Sequence, residues 1–205
     1  MFGDPTVNQH EFPDHQLSEL IRVEDKINYG VVQPGDNVDD GVPLVRVGDL
    51  QSGGVSHGEL KRISPSIEEK YKRSRLVGDE ILVSCVGSVG VVALAQESEK
   101  DFNIARAVAR IPLNDSCNRQ FVAEYLRSDF VQRYFTGELR TVSQPTLNIK
   151  QIGETKIKLP PKEQQDEFAK RIESLANLKS THQQAMEKLD ELFSSLQSFA
   201  FKGEL

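Results

Sequence analysis

The sequence predicts an α+β protein: a globular domain of short strands and helices over residues 1–158, followed over residues 159–205 by one long helix. Two observations predict this division. Between residues 40 and 160 the pattern changes about every six to twelve residues, and β-rich runs are broken by Gly, Pro, Asn and Ser. After Pro161 no Gly or Pro occurs until Gly203, and apolar residues follow a heptad repeat.

Several apolar runs predict individual strands. Residues 42–47 end at Gly48, and the runs 80–86 and 89–95 are separated only by Gly87-Ser88, which predicts a tight hairpin. In residues 104–111 the alternation predicts a half-buried strand with Arg106 and Arg110 on its outward face.

Two helices are predicted in the second half of the globular domain, over residues 119–127 and 129–135. Both segments carry large apolar side chains at mostly helical spacing, which we expect to lie in the core. Those residues are Phe121, Tyr125, Leu126, Phe130, Tyr134 and Phe135.

The long helix carries a seam of apolar residues whose positions step by four and three. Its length of about 40 residues corresponds to about 60 Å, which exceeds the roughly 40 Å diameter expected for the globular domain, so we expect it to protrude. We call its repeat the predicted seam: Phe168, Ile172, Leu175, Lys179, His182, Met186, Leu189, Phe193, Leu196 and Ala200.

An exposed seam of this length predicts a partner helix. Leaving it in water would forgo on the order of 10 kcal/mol, comparable with the stability of a whole domain. The partner is a second copy of this chain, a helix of another subunit, or both. Lys179 and His182 are polar seam positions that suit a role in fixing register, although His182 also fits a partly exposed residue with no such role.

Composition and charge limit the classes of function. The 205 residues carry a net charge of −6, and the sequence has neither a spanning apolar run nor a signal peptide, so we expect a cytoplasmic protein with no membrane contact. Cys85 and Cys117 lie outside any CxxC pair, which predicts reduced thiols and no structural zinc.

The negative charge is not evenly distributed along the chain. Residues 1–50 have ten acids against three bases, whereas residues 51–160 have sixteen bases against thirteen acids. Within the second segment, residues 61–75 contain six bases opposed only by Glu68 and Glu69. This cluster can face phosphate, or it can be a solvated surface of ion pairs.

A search for catalytic motifs finds only weak matches. Residues 84–90 contain two glycines but lack the Lys-Ser/Thr that closes a phosphate-binding loop. The four histidines have no metal-ligand spacing. Glu154 and Lys156 could be half of a nuclease-like pair, but the motif is too short to be specific. We therefore expect a non-catalytic chain that holds no cofactor or metal of its own.

Four motifs, taken in order, resemble the DNA specificity (S) subunit of type I restriction-modification systems, and the resemblance covers nearly the whole chain. They are GVPLVRVGDL at 41–50, LVGDEIL at 76–82 with GSVG at 87–90, PTLN at 145–148 leading into IKLPPKEQ at 157–164, and AFKGEL at 200–205.

The resemblance implies a function and a set of partners. In that family the α+β unit is a target recognition domain that reads a DNA half-site, and the long helix is a spacer that engages the methyltransferase (M) subunits. S-adenosylmethionine, ATP and Mg are then expected on the M and restriction/translocase (R) subunits. A full-length S subunit has two such units with antiparallel spacer helices, so this chain resembles a half.

A half-subunit predicts a homodimer on a bipartite target. Two copies related by a twofold axis would hold two recognition domains on antiparallel helices, and their target would be palindromic. For both domains to enter grooves on one side of B-DNA, the half-sites should lie about one helical turn, roughly 34 Å, apart.

Candidate DNA contacts are of two kinds. Side chains that can donate to or accept from base edges are assigned to bases: Arg106 to guanine, Gln144 and Asn148 to adenine, with Ser143 and Thr146 as auxiliary contacts. Thr146 and Asn148 equally suit turn and helix-cap roles. Phosphate contacts are assigned to the basic cluster, namely Lys61, Arg62, Lys72, Arg73 and Arg75.

The alternative is a dimeric adaptor or antitoxin-like protein that acts through its coiled-coil helix and does not read DNA. The net charge of −6 favours this alternative.

Overall fold

The computed structural model describes residues 12–51, 53–139 and 145–203. The chain divides into two compact units, Met1–Gln165 and Asp166–Leu205, which we call the globular unit and the helical unit. Short strands and short helices make up the first, and one helix makes up the second. This confirms the predicted fold class, whereas antiparallel pairing of the helix stays a prediction.

The elements follow one another closely along the chain. The strands are β1 (Asp14–Gln16), β2 (Asn28–Tyr29), β3 (Val42–Val45), β4 (Leu50–Gln51), β5 (Gly54–Val55), β6 (Lys61–Ile63), β7 (Ile81–Ser84), β8 (Val92–Leu94), β9 (Asn103–Ile104), β10 (Val108–Ile111) and β11 (Lys156–Lys158). The α-helices are α1 (Pro65–Glu68), α2 (Arg119–Arg127), α3 (Asp129–Glu138), α4 (Ile149–Gly153) and α5 (Lys162–Lys202). Short 3₁₀ turns lie at Leu17–Leu20, Val47–Asp49, Glu69–Ser74 and Glu97–Glu99.

The central sheet has the order β2-β10-β7-β8, and all of its pairs are antiparallel. Every residue of β7, β8 and β10 is buried. The predicted hairpin is confirmed, with Ile81 opposite Leu94 and Val83 opposite Val92, although its connection is longer than the predicted two residues and spans 85–91.

The strand predicted over residues 104–111 is wrong in two respects. The segment forms two strands, β9 and β10, in different sheets, and Arg110 points inward, with only 4% of its surface exposed. Its guanidinium donates to Glu80 at 3.0 Å and also pairs with Asp25. A buried arginine needs such partners, because an unpaired charge in the interior is strongly unfavourable.

A second sheet of order β6-β3-β9 lies beside the first in the globular unit. β3 pairs with β6 in antiparallel and with β9 in parallel fashion. Val31, Leu44 and Ile63 form one buried cluster on this sheet, and a larger cluster around Val45 and Leu82 continues into the central sheet. The core of the globular unit is therefore built from residues that are distant in the sequence.

Helices α2 and α3 are confirmed at their predicted positions. The Asn118 side chain caps α2 by accepting from the backbone N–H groups of Gln120 and Phe121, and Ser128 caps α3. Phe121, Leu126 and Phe135 are buried, and the other aromatic residues of these helices are partly buried.

Helix α5 extends over 41 residues from Lys162 to Lys202. It ends where the sequence predicts, because Gly203 adopts the left-handed conformation at φ 73° that terminates helices. The boundary between the two units falls inside α5, after Gln165. Gln165 is buried, and its side chain accepts from the Asn118 N–H at 2.8 Å and donates to the Pro160 carbonyl at 2.8 Å.

Candidate nucleic-acid interface

Two residues of the predicted phosphate-binding cluster lie on β6 and brace a neighbouring loop. Lys61 Nζ donates to the Gly35 carbonyl at 2.6 Å, and Arg62 Nη1 donates to the Gly41 carbonyl at 2.9 Å. The Arg62 N–H also donates to Asn37 Oδ1. These bonds hold residues 35–41 against β6, so both side chains contribute to loop structure.

The other three residues of that cluster differ in how much of their charge is already paired. Arg75 makes two hydrogen bonds to Glu68, at 2.8 and 2.6 Å, which raises the Arg75 pKa and lowers the Glu68 pKa. Lys72 pairs with Glu69. Arg73 is exposed and has no side-chain ion pair within the described residues. It is therefore the cluster member whose charge is most available to a phosphate.

An open cleft of about 680 Å³ lies beside Arg73, and residues distant in sequence line it. Its lining contains more bases than acids: Lys26, Lys72, Arg73, Arg75, Lys100 and Arg110 against Glu24, Asp25 and Asp101. Sequence reasoning missed Lys26 and Lys100, because each is isolated in the sequence and only the fold brings it to the cluster. Four of these bases are already paired: Lys72 with Glu69, Arg75 with Glu68, Lys100 with Glu97, and Arg110 with Asp25 and Glu80. Lys26 and Arg73 have no ion pair in the described part of the chain, so these two supply the charge that favours the approach of an anion.

Arg106, the predicted guanine reader, lies between β9 and β10 and is exposed. Its N–H donates to the Val31 carbonyl at 2.8 Å. Cys85 N–H donates to the neighbouring Ala107 carbonyl at 2.7 Å. The backbone at Arg106 is thus fixed on both sides, while the guanidinium faces solvent.

Thr146, another predicted contact, lies close to the same edge. It forms an antiparallel bridge with Val86, and the Leu147 N–H donates to the Cys85 carbonyl at 2.9 Å. Tyr29 Oη donates to the Leu147 carbonyl at 3.0 Å, and burial raises the pKa of Tyr29 to about 12. The structure therefore brings Thr146 and Arg106 to the same end of β7.

Of the remaining predicted base contacts, one caps a helix and two lie outside the described residues. Asn148 is the N-cap of α4, and its side chain accepts from the Gln151 N–H at 3.0 Å, which is the capping alternative considered from sequence. Ser143 and Gln144 lie outside the described residues. Their DNA contacts stay predictions.

The helical unit exposes a wider apolar stripe than the predicted seam. Members of that seam such as Leu175, Met186 and Phe193 are 56–62% exposed. A second row of side chains at seven-residue spacing lies beside them, and its three large members are 46–56% exposed. We call this row the second seam: Leu178, Ala185, Leu192 and Phe199. Its repeat was visible in the sequence as a second heptad column.

The residues considered for catalysis serve structural roles in the globular unit. Glu154 is the C-cap of α4 and lies 3.7 Å from Lys150, and Lys156 lies on β11. Cys85 and Cys117 are free and buried, and burial raises the pKa of Cys85 to about 12. In residues 12–51, 53–139 and 145–203, no cluster of three or more His, Cys, Asp or Glu side chains is arranged to hold a metal.

Of the helices in the described part of the chain, none has the length and apolar character needed to cross a membrane.

Residues 18–191 match the family described as the type I restriction modification DNA specificity domain. This chain belongs to that family. The match includes most of the globular unit and the larger part of α5, and it confirms the resemblance found in the motifs.

Curated relatives in the family are type I specificity subunits. The EcoBI specificity subunit of Escherichia coli is 37% identical over 194 residues, which is 92% of this chain and 41% of that subunit. The EcoKI specificity subunit of Escherichia coli K12 is 22% identical and is covered over 44% of its length. The chain thus spans about two-fifths of the length of these relatives.

Solved structures share the fold. A structure from a study of complex assembly and conformational transition of a type I R-M system matches 98% of this chain and 51% of that chain, with a TM-score of 0.62 at 20% identity. The crystal structure of the HsdS subunit from Thermoanaerobacter tengcongensis matches 100% of this chain and 48% of its own, with a TM-score of 0.62 at 18% identity.

Proposed function

We propose that this chain is a sequence-reading unit of a type I restriction-modification complex, which recognises one DNA half-site and scaffolds the methyltransferase subunits. The observation that carries the proposal is the specificity-domain match over residues 18–191, which includes most of the globular unit and most of α5. The chain itself is non-catalytic. S-adenosylmethionine, ATP and Mg belong to the M and R subunits.

Base reading is assigned to the edge formed by Arg106 and Thr146. An exposed arginine on a fixed backbone is suited to guanine, because its guanidinium can donate to O6 and N7 together. Backbone contacts are assigned to the cleft, where neither Arg73 nor Lys26 has an ion pair within the described residues.

The helical unit is assigned to assembly. Its exposed stripe supports pairing with a second copy through the predicted seam, since large apolar side chains gain about 1.5–3 kcal/mol each on burial. Two copies would form a twofold dimer and read a palindromic, bipartite site.

The second seam supports a further helix contact. A two-stranded coiled coil covers a narrow stripe of two positions per heptad, whereas this helix exposes three. We assign the additional row to a helix of a methyltransferase subunit.

The experiment that tests the proposal is the salt dependence of DNA binding by the full chain. Neutralising several phosphates gives a steep linear fall of log affinity with log salt concentration, with a slope of about −0.9 per phosphate. Fluorescence anisotropy with a labelled duplex should give such a slope. A flat response would favour the adaptor or antitoxin-like alternative, which the net charge of −6 supports.

A further inference from the structure

The connection between β7 and β8 is held by hydrogen bonds to one buried side chain, that of Ser84. Ser84 is fully buried. Its Oγ donates to the Ser88 carbonyl and accepts from the Val91 N–H at 2.8 Å. The Gly90 N–H donates to the Ser84 carbonyl at 3.0 Å. One residue therefore ties both sides of the turn together.

Glycine is required at two positions of this turn. Gly87 and Gly90 have φ values of 79° and 87°, in the left-handed region that favours glycine. A Cβ on Gly90 would also lie 2.5 Å from Gln132 Oε1. Gln132 in turn donates to the Gly90 carbonyl at 3.1 Å, which ties the turn to α3.

The tip of this rigid turn carries free hydrogen-bond donors. Ser88 is exposed, and within the described residues neither its N–H nor its hydroxyl has a hydrogen-bond partner. Serine hydroxyls and backbone N–H groups are common donors to phosphate oxygens in protein–DNA complexes. A pre-formed turn presents them without the entropy cost of ordering a loop.

The strand and loop segments around the tip carry almost no charge. The segments that meet at this end of the globular unit are residues 28–33, 84–91, 104–109 and 145–149, which are joined by the contacts described above. Together they contain no Asp or Glu, and Arg106 is their one charged residue. Helix α3, which contacts the turn through Gln132, adds Asp129, Arg133 and Glu138. In a chain with net charge −6, a phosphate that approaches from the strand and loop side of this edge meets Arg106 and no carboxylate.

We infer that the Gly87-Ser88 turn is a phosphate-binding element that holds one backbone phosphate of duplex DNA beside the base read by Arg106. The inference rests on the proposed function and adds a contact at a turn whose sequence, residues 84–90, lacks the Lys-Ser/Thr of a phosphate-binding loop. Its role is to fix the register of the DNA, because a phosphate contact carries no base information but sets where neighbouring side chains reach the groove.

The test compares three variants of the full chain. Ser88→Ala removes the hydroxyl, and Ser88→Glu places a negative charge where the phosphate would lie. Ser116→Glu is the matched control: Ser116 is an exposed serine beyond the Ile111 end of β10, whereas the turn lies at the Val108 end. Binding is measured by anisotropy with a labelled duplex of about two helical turns, roughly 20–24 base pairs.

The expected losses differ between the variants. Ser88→Glu should weaken binding at least about tenfold, and Ser88→Ala about threefold, the size of one neutral hydrogen bond. Ser88→Ala should leave the salt slope unchanged, since no charge is removed. Ser116→Glu should bind like the unmodified chain.

The outcomes separate this inference from the proposed function. Wild-type affinity in both Ser88 variants, alongside weaker binding by Arg73→Ala, would overturn the phosphate turn and leave DNA reading intact. Equal losses for Ser88→Glu and Ser116→Glu would also overturn it, as a general charge effect. If the unmodified chain does not bind with a steep salt slope, the proposed function itself fails.

Discussion

The globular unit buries most of its large apolar side chains and pairs its buried charges, whereas the helical unit exposes large apolar side chains along its length. In the globular unit even a buried arginine, Arg110, has two carboxylates within bonding distance. In the helical unit, large apolar side chains such as Leu189 and Phe193 are 59 and 62% exposed. The core of the globular unit is formed within the chain, whereas the apolar side chains of the helical unit would be buried only by the partner proposed above.

The largest effect is expected where the globular unit is most self-contained. Arg110→Met should lower the free energy of unfolding by about 3–5 kcal/mol, because it leaves the buried Glu80 without its cation. Urea unfolding followed by circular dichroism measures the loss. Arg73→Met is the matched control, since that side chain is exposed, and it should change stability by less than about 0.5 kcal/mol.

If both arginine variants were equally stable, the claim that the globular unit depends on internal charge pairing would be wrong.

The predicted seam of the helical unit can be disrupted by one charge at its centre. Leu189→Asp should weaken self-association by at least about 3 kcal/mol, because it places a charge in the centre of the predicted seam, while the unfolding of the globular unit is unaffected. Light scattering should give twice 23.0 kDa for the full chain and the monomer mass for this variant. Ser194→Asp, also exposed on α5, is the control and should remain dimeric.

A monomeric mass for the full chain would contradict the proposed homodimer and its palindromic target. The predicted seam would then be assigned to contact with another protein.

The third prediction separates base reading from backbone contact within the globular unit. On a duplex selected for binding, Arg106→Ala should cost about 1–3 kcal/mol on the preferred sequence and little on others. Arg73→Ala should weaken all sequences alike and reduce the salt slope by about one. Anisotropy titrations over a salt series measure both, and identical behaviour of the two variants would contradict the assignment.

The smallest effect concerns acid stability. Arg75 lowers the Glu68 pKa, so the pair contributes stability above the unfolded-state pKa of glutamate, and this is lost as the pH falls through the folded value. Arg75 is partly exposed and solvent screens the pair, so the contribution should be under about 1 kcal/mol. Unfolding midpoints between pH 6 and 3 should fall more steeply for the wild type than for Glu68→Gln. If the midpoints of the two proteins fall equally with pH, the Arg75–Glu68 pair makes no measurable contribution to stability.

Local patterns predicted much of the fold. The hairpin at Gly87-Ser88, helices α2 and α3, and the end of α5 at Gly203 all depend on neighbouring residues, and the structure confirms them. The inward position of Arg110 could not be predicted from local patterns. Alternation placed it outward, but Asp25 and Glu80, 85 and 30 residues away, neutralise it inside.

The candidate site was less predictable for the same physical reason. The cleft combines Lys26, Arg73 and Lys100, which no local pattern joins. Arg75 and Arg62 belong to a basic run in the sequence, yet the fold uses their side chains for an ion pair and a loop contact. Charge density along a chain therefore overstates the charge available to DNA, because tertiary partners take up part of it.

The most direct test of sequence reading is selection of bound duplexes from a random pool by the full chain. We predict enrichment of a bipartite, palindromic sequence with half-sites about one helical turn, roughly 34 Å, apart, and loss of that preference in Arg106→Ala but not in Arg73→Ala. A pool that stays random after repeated selection, with binding insensitive to salt, would contradict the claim that this chain reads DNA.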